Sequence, residues 1–115
     1  MSVYLSVAPP DGFSSNAEYV KARTGGPTAK SFNVNYASLY VQLAGLRVRA
    51  SNLWCGDDEA RETVEQLNRD AGYEPVRVGG LDKAASQERL VDVIFAISES
   101  GLGAFVYRMA PPDRL

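Results

Sequence analysis

Histidine is absent from this sequence of 115 residues, and cysteine occurs once, as Cys55. The missing histidine removes the commonest general base and the commonest metal ligand. A Ser-His-Asp or Cys-His nucleophile cannot be assembled from this chain. One thiol with no imidazole is also too few ligands for zinc, so no metal site is expected. The single cysteine excludes an intrachain disulfide, which suits a reducing, cytoplasmic setting. Long apolar runs are missing too. The most apolar stretch, residues 90–97, contains Asp92 and is far too short to span a bilayer. The N-terminus lacks the charged segment and long apolar run of a signal peptide. Nor is there an excess of basic charge: 12 Lys and Arg against 14 Asp and Glu leave a net charge of −2. Neither a membrane nor a nucleic acid is an expected partner.

What remains has an ordinary globular balance, with 45% hydrophobic and 23% charged residues. The length fits one domain spanning residues 1–115, able to bury about two-thirds of its unfolded surface. Strands and helices alternate. Residues 1–8 read as a first short strand closed by Pro9-Pro10. Ser15 and Glu18 form a capping box for a helix reaching about Arg23, which Gly25-Gly26-Pro27 stops. Residues 29–34 read as a second strand. Asn35 suits the N-cap of a helix carrying Tyr36, Leu39, Tyr40 and Leu43 and ending at Gly45. Residues 46–55 hold a third strand with polar interruptions at Arg47, Arg49, Ser51 and Asn52. Asp57 is an expected N-cap, with Asp58 and Glu59 suiting the helix dipole; Ala60, Val64, Leu67 and Ala71 form an apolar stripe, and Gly72 closes the helix. Residues 75–78 make a fourth strand, residues 90–97 a buried or interface helix, and residues 104–109 a last strand. This alternation predicts a parallel sheet with right-handed crossovers.

Four segments carry a resemblance. Lys30-Ser31-Phe32-Asn33-Val34 is similar to a "KAFN" strand, and Cys55-Gly56-Asp57-Asp58-Glu59-Ala60 to a "GDD-x-x-A" turn. Ala71-Gly72-Tyr73-Glu74-Pro75-Val76 resembles "lGfePv", and Gly80-Leu81 with Glu88 a "G-x-L…E" lead into a last helix. In this order and spacing they resemble the C-terminal part of the deazaflavin-dependent NADP oxidoreductase-like family. The resemblance implies an α/β fold: a truncated Rossmann-like three-layer sandwich with a mostly parallel sheet of four to five strands. The family's N-terminal glycine-rich unit, whose amides and helix end hold the pyrophosphate, has no counterpart here. The cluster from Thr24 to Ser31 imitates a phosphate loop, but Ala29 stands where glycine should precede the lysine. The family's Asn-Pro turn is here Ala8-Pro9. The start beside an element boundary is read as that of a naturally short protein rather than a fragment.

Ligands of parallel α/β sheets sit at the carboxyl ends of strands, which selects Pro9, Pro10, Asp11, Asn33, Asn35, Tyr36, Cys55 and Asp57. Asn33, Asp57 and Tyr36 are the catalytic candidates; Pro9, Asp11, Asn35 and Cys55 are the ligand-binding ones. Asn33 and Asn35 share a strand face and can orient a carbonyl or hydroxyl, although capping is the plainer role for Asn35. Asp57 and Asp58 suit acid–base work if one pKa is raised, or simply the start of a helix. Cys55 is either activated at a strand end or a small buried hydrophobe. Trp54, Tyr36 and Tyr40 can hold a planar ligand or pack in the core. Arg47 and Arg49 share a face that suits an anionic ligand or plain solvent. The expected function is a degenerate oxidoreductase-like protein, repurposed as a small-molecule enzyme or binding protein in biosynthesis. The alternatives are a redox subunit needing a partner chain for NADP, and a non-catalytic dimeric module. No cofactor is expected for the isolated chain, and a homodimer is.

Overall fold

The computed structural model describes residues 8–115. Residues 1–7 of the expected first strand lie outside the described residues. The first described element is helix α1, Asn16–Thr24. Its capping box forms as expected: Glu18 N–H donates to Ser15 Oγ (3.0 Å) and the serine hydroxyl donates to Glu18 Oε1 (3.0 Å). Gly25 ends the helix in the left-handed region, its N–H on Lys21 O at 2.8 Å.

The sheet has three described strands in the order β1 (Ala29–Ser31), β2 (Ser51–Gly56), β3 (Glu74–Gly79). β2 and β3 are parallel and joined through helix α2, Arg61–Asp70. β1 runs antiparallel to β2, with Ala29 opposite Gly56 and Ser31 opposite Trp54. Among the described residues the sheet is therefore mixed, with one parallel and one antiparallel pair, where a mostly parallel sheet of four to five strands was expected. The cause lies in residues 32–50. They form a 3₁₀ segment, Ala37–Gly45, instead of an α-helix laid across a face. The chain returns to the sheet from the end at which it left, which reverses the strand. Residues 46–50, expected as strand, belong to this loop. Asn35 does not cap it; Tyr36 occupies that position without a side-chain bond.

Residues 104–109 are not a strand. They run past the start of β2, where Ser51 N–H donates to Tyr107 O (2.7 Å) and Ser51 Oγ takes the Met109 N–H (2.8 Å). The serine hydroxyl thus replaces the next rung of a ladder.

Every residue of β2 is buried, as a central strand between two helical layers requires. Asn52 and Trp54 point to α2, bonding Asn68 Oδ1 (2.6 Å) and Glu65 Oε2 (3.0 Å). Cys55 points the other way, against Ala17 of α1 and Ala84 of helix α3, Ala84–Ile97. The inward face of α2 is Val64 and Asn68. Leu67, placed on the apolar stripe by periodicity, is 54% exposed. Gly72 follows the end of α2 with φ +100°, as expected of a helix-closing glycine. On α3 only Ala84 and Gln87 are buried, and Val93 and Ile97 face outward. Among the described residues no helix is long and apolar enough to cross a membrane.

Candidate ligand-binding site

Because β1 is antiparallel, its carboxyl end and that of β2 lie at opposite ends of the sheet. The expected catalytic trio is thereby split: Asn33 and Tyr36 follow β1, whereas Asp57 follows β2 beside the start of β1. Asn33 is held in a reciprocal amide pair with Gln87, donating to its backbone carbonyl (2.9 Å) and accepting from its Nε2 (2.9 Å). Tyr36 packs edge-on to Phe95 and Phe105, at ring distances of 5.6 and 5.8 Å. Pro9 is half-buried and Pro10 and Asp11 are exposed, and among the described residues none of the three hydrogen-bonds another candidate.

At the far end, Asp57 accepts from Lys21 Nζ (2.8 Å) and from the Thr28 N–H (2.9 Å). These two bonds, the lysine first, hold its carboxyl below the usual carboxylate range. Its neighbour Asp58 pairs with Arg77 at 2.7 Å. The two acids therefore have separate basic partners and do not form the coupled pair that acid–base work requires. Asp57 also makes no capping bond to the 3₁₀ turn Asp58–Ala60 that it precedes. Cys55 is fully buried, and burial pushes its thiol up to about 11, away from the reactive thiolate. Among the described residues no group of His, Cys, Asp or Glu is placed to hold a metal ion.

The carboxyl end of β1 nevertheless opens a site. Phe32, the first residue beyond the strand, has φ +63°, the only positive φ outside glycine among the described residues. A bulky residue there is strained, at a cost of about 1–3 kcal/mol. The strain does not serve burial, since the ring stays 49% exposed. It leans edge-on to Tyr73 (6.4 Å), which is buried, and with Tyr40 and Asn35 it encloses a slot of about 290 Å³. Tyr40 is 50% exposed at its rim.

Asn35 stands at the slot with its Nδ2 on Ser51 O (3.0 Å) and Asn52 Oδ1 (2.8 Å), and its Oδ1 buried without a donor. Burial raises the pKa of Tyr73, so that phenol stays neutral. The slot is aromatic and neutral, with no carboxylate, amine or imidazole on its walls. Such walls hold a flat ring and supply no general base. Phe32 and Tyr73 entered the sequence reading only as members of the KSFN and AGYEPV segments, Phe32 inside the expected strand 29–34, and neither was singled out as a site residue.

No family model matches this chain, and no curated protein does. The site must be read from its own residues.

Those residues also predict how the isolated chain treats a dinucleotide. A pyrophosphate needs free N–H groups at a helix start or glycine-rich turn. At the start of α1, the Asn16 and Ala17 N–H groups donate to the Glu88 carboxylate (2.9 and 3.1 Å). At the glycine turn, the Thr28 N–H and Lys21 are taken by Asp57. Both anion positions already hold the chain's own carboxylates. Calorimetry on the protein alone should find no NADP(H) binding tighter than the millimolar range; low-micromolar affinity contradicts this.

Proposed function

We propose that this chain is a degenerate relative of the NADP-dependent oxidoreductases, a truncated Rossmann-like domain reused to bind a small flat molecule rather than to move a hydride. The KSFN strand and the GDD turn support the ancestry, and helices on both faces of the sheet agree with it. The observation that carries the binding function is Phe32, a strained and half-exposed ring beside an aromatic slot. Backbone strain at a ring that stays half-exposed is the pattern expected where a ligand, rather than the fold, selects the residue. The slot's neutral walls favour binding over catalysis.

The test is a thermal-shift screen of planar heterocycles, followed by titration of those that raise Tm. Phe32→Gly relieves about 1–3 kcal/mol of left-handed strain and gives up the buried half of the ring, an effect of similar size and opposite sign. It should leave Tm within a few degrees of the parent, and weaken ligand binding about tenfold. A Tm loss above about 8 °C, roughly 2 kcal/mol, would show that the ring serves the fold instead.

The proposed protein is a homodimer joined through α3. Val93 and Ile97 stand 52% and 39% exposed on a helix whose remaining apolar face Tyr36 covers only in part. A second copy of the same helix is the simplest cover, since closed two-fold pairing is the commonest arrangement of identical chains. Sedimentation equilibrium at micromolar concentration should give twice the 12.5 kDa chain mass; a clean monomer contradicts it.

A further inference from the structure

Three hollows follow one another along the loop between β1 and β2. Tyr40 lines both the aromatic slot and a neighbouring hollow of about 460 Å³. Leu46 and Val48 line that hollow and a third, also about 460 Å³, whose wall includes Arg47 and Arg108.

The charge along this trough is one-sided. Six of the twelve basic side chains pair with carboxylates: Lys21, Lys30, Lys83, Arg61, Arg69 and Arg77. Arg47, Arg49 and Arg108 have no carboxylate within 4.0 Å among the described residues, and residues 1–7 contain no Asp or Glu. Arg108 donates only to neutral carbonyls, of Arg49 and Arg114 (both 3.1 Å), and its Nε is buried without an acceptor. Arg49 likewise serves the carbonyls of Tyr73 and Arg69. Arg47 is exposed and makes no hydrogen bond or ion pair among the described residues. The one carboxylate on the trough, Asp70, accepts from Gln66 of its own helix at 2.8 Å. Guanidinium groups without counter-ions beside a mainly apolar hollow, in a chain of net negative charge, are suited to a carboxylate or phosphate brought by a ligand.

We infer that the ligand of the aromatic slot is elongated, with its ring between Phe32 and Tyr40 and a terminal carboxylate or phosphate at Arg47 and Arg108. The inference rests on the slot reading and adds the class of molecule. Leu46 and Val48 then flank an apolar spacer, and charge-assisted hydrogen bonds to the arginines fix the far end.

The experiment uses ω-(indol-3-yl)alkanoic acids, from the acetic to the octanoic, with their primary amides, titrated calorimetrically into the full chain. The shortest acid and amide should bind alike. Beyond a threshold length the acid should bind about tenfold tighter than its amide, and the matching phosphate monoester at least as tightly as the acid. Arg47→Gln, at an exposed and unpaired site, should shrink that gap without changing amide affinity. Arg47→Gln with Arg108→Gln should close it, and if the double variant does not fold, the single one decides. Acids and amides that bind equally at every length overturn the inference and leave the slot standing. Failure of both series to bind overturns the slot reading and this inference with it.

Discussion

Gly56→Ala is expected to cost about 4 kcal/mol and to lower Tm by about 15 °C, enough to unfold much of a marginally stable domain. A Cβ built on Gly56 lies 2.5 Å from Thr28 O and 2.6 Å from Ala29 Cα, both backbone atoms that cannot turn aside. Its φ of +155° adds conformational strain. Relief requires β1 to move off β2. That movement breaks the Asp57 N–H bond to Thr28 O (2.9 Å) and the Thr28 N–H bond to the Asp57 carboxylate (2.9 Å). Gly26→Ala is the control: nothing lies within 4 Å of its added Cβ, and the change should stay within about 0.5 kcal/mol. Urea denaturation of both variants decides. A Gly56→Ala cost near that of Gly26→Ala means the junction of β1 and β2 yields freely, and the close approach is not a constraint.

The same glycine shows how far the sequence could be read. Gly56 was noticed as part of a resemblance, but its reason is a backbone approach between residues 27 apart, which no local pattern displays. Features governed by neighbours in sequence were legible: the Ser15–Glu18 box, the glycine stop after α1, the run of α2 and the place of β3. Features governed by distant partners were not. The direction of β1 depends on what residues 32–50 do, and helical spacing of Tyr36, Leu39, Tyr40 and Leu43 does not distinguish an α-helix across a face from 3₁₀ turns at one end. Residues 104–109 have the composition of a strand, yet Ser51 Oγ takes the bond that would continue one.

The candidate site was legible to a similar degree. The strand-end rule led to Asn33, Asn35 and Tyr36, because it concerns where a chain leaves a sheet. It failed to unite them with Cys55 and Asp57 because the rule presupposes parallel strands. Asn33 and Asn35 were singled out for their chemistry, and both turn out to be committed to amide partners. Tyr40 was weighed for a planar ligand, and its half-exposed ring at the slot accords with that role. Phe32 was not singled out because its meaning lies in a backbone angle.

What fills the core was the least legible feature. Asn52 stood among four polar interruptions of the third strand, and Asn68 lay outside the expected stripe of Ala60, Val64, Leu67 and Ala71. Both are fully buried. Asn52 Nδ2 donates to Asn68 Oδ1 at 2.6 Å, and Asn68 Nδ2 donates to Val64 O (2.8 Å) and Ser31 Oγ (3.2 Å). The two amides bind α2 to the sheet through polar contacts in a place where most domains use methyl groups. Their energetics should be strongly non-additive. Asn52→Leu keeps a similar branched shape but strips Asn68 Oδ1 of its donor, and should cost about 3 kcal/mol. Asn68→Leu strips Asn52 Nδ2 of its short acceptor, leaving only a 3.4 Å contact to Ser31 Oγ, and should cost about as much. Replacing both removes donor and acceptor together. Asn35 Nδ2 keeps Ser51 O, and Ser31 Oγ keeps Leu53 O, so little is left unpaired. The double variant should then be no less stable than either single one, a coupling of at least about 3 kcal/mol. Crowding by the added methyls enters the singles and the double alike and largely cancels in the cycle. Denaturation of the four proteins measures it. Additive losses of about 6 kcal/mol mean that each asparagine contributes through its other contacts and the bond between them is incidental.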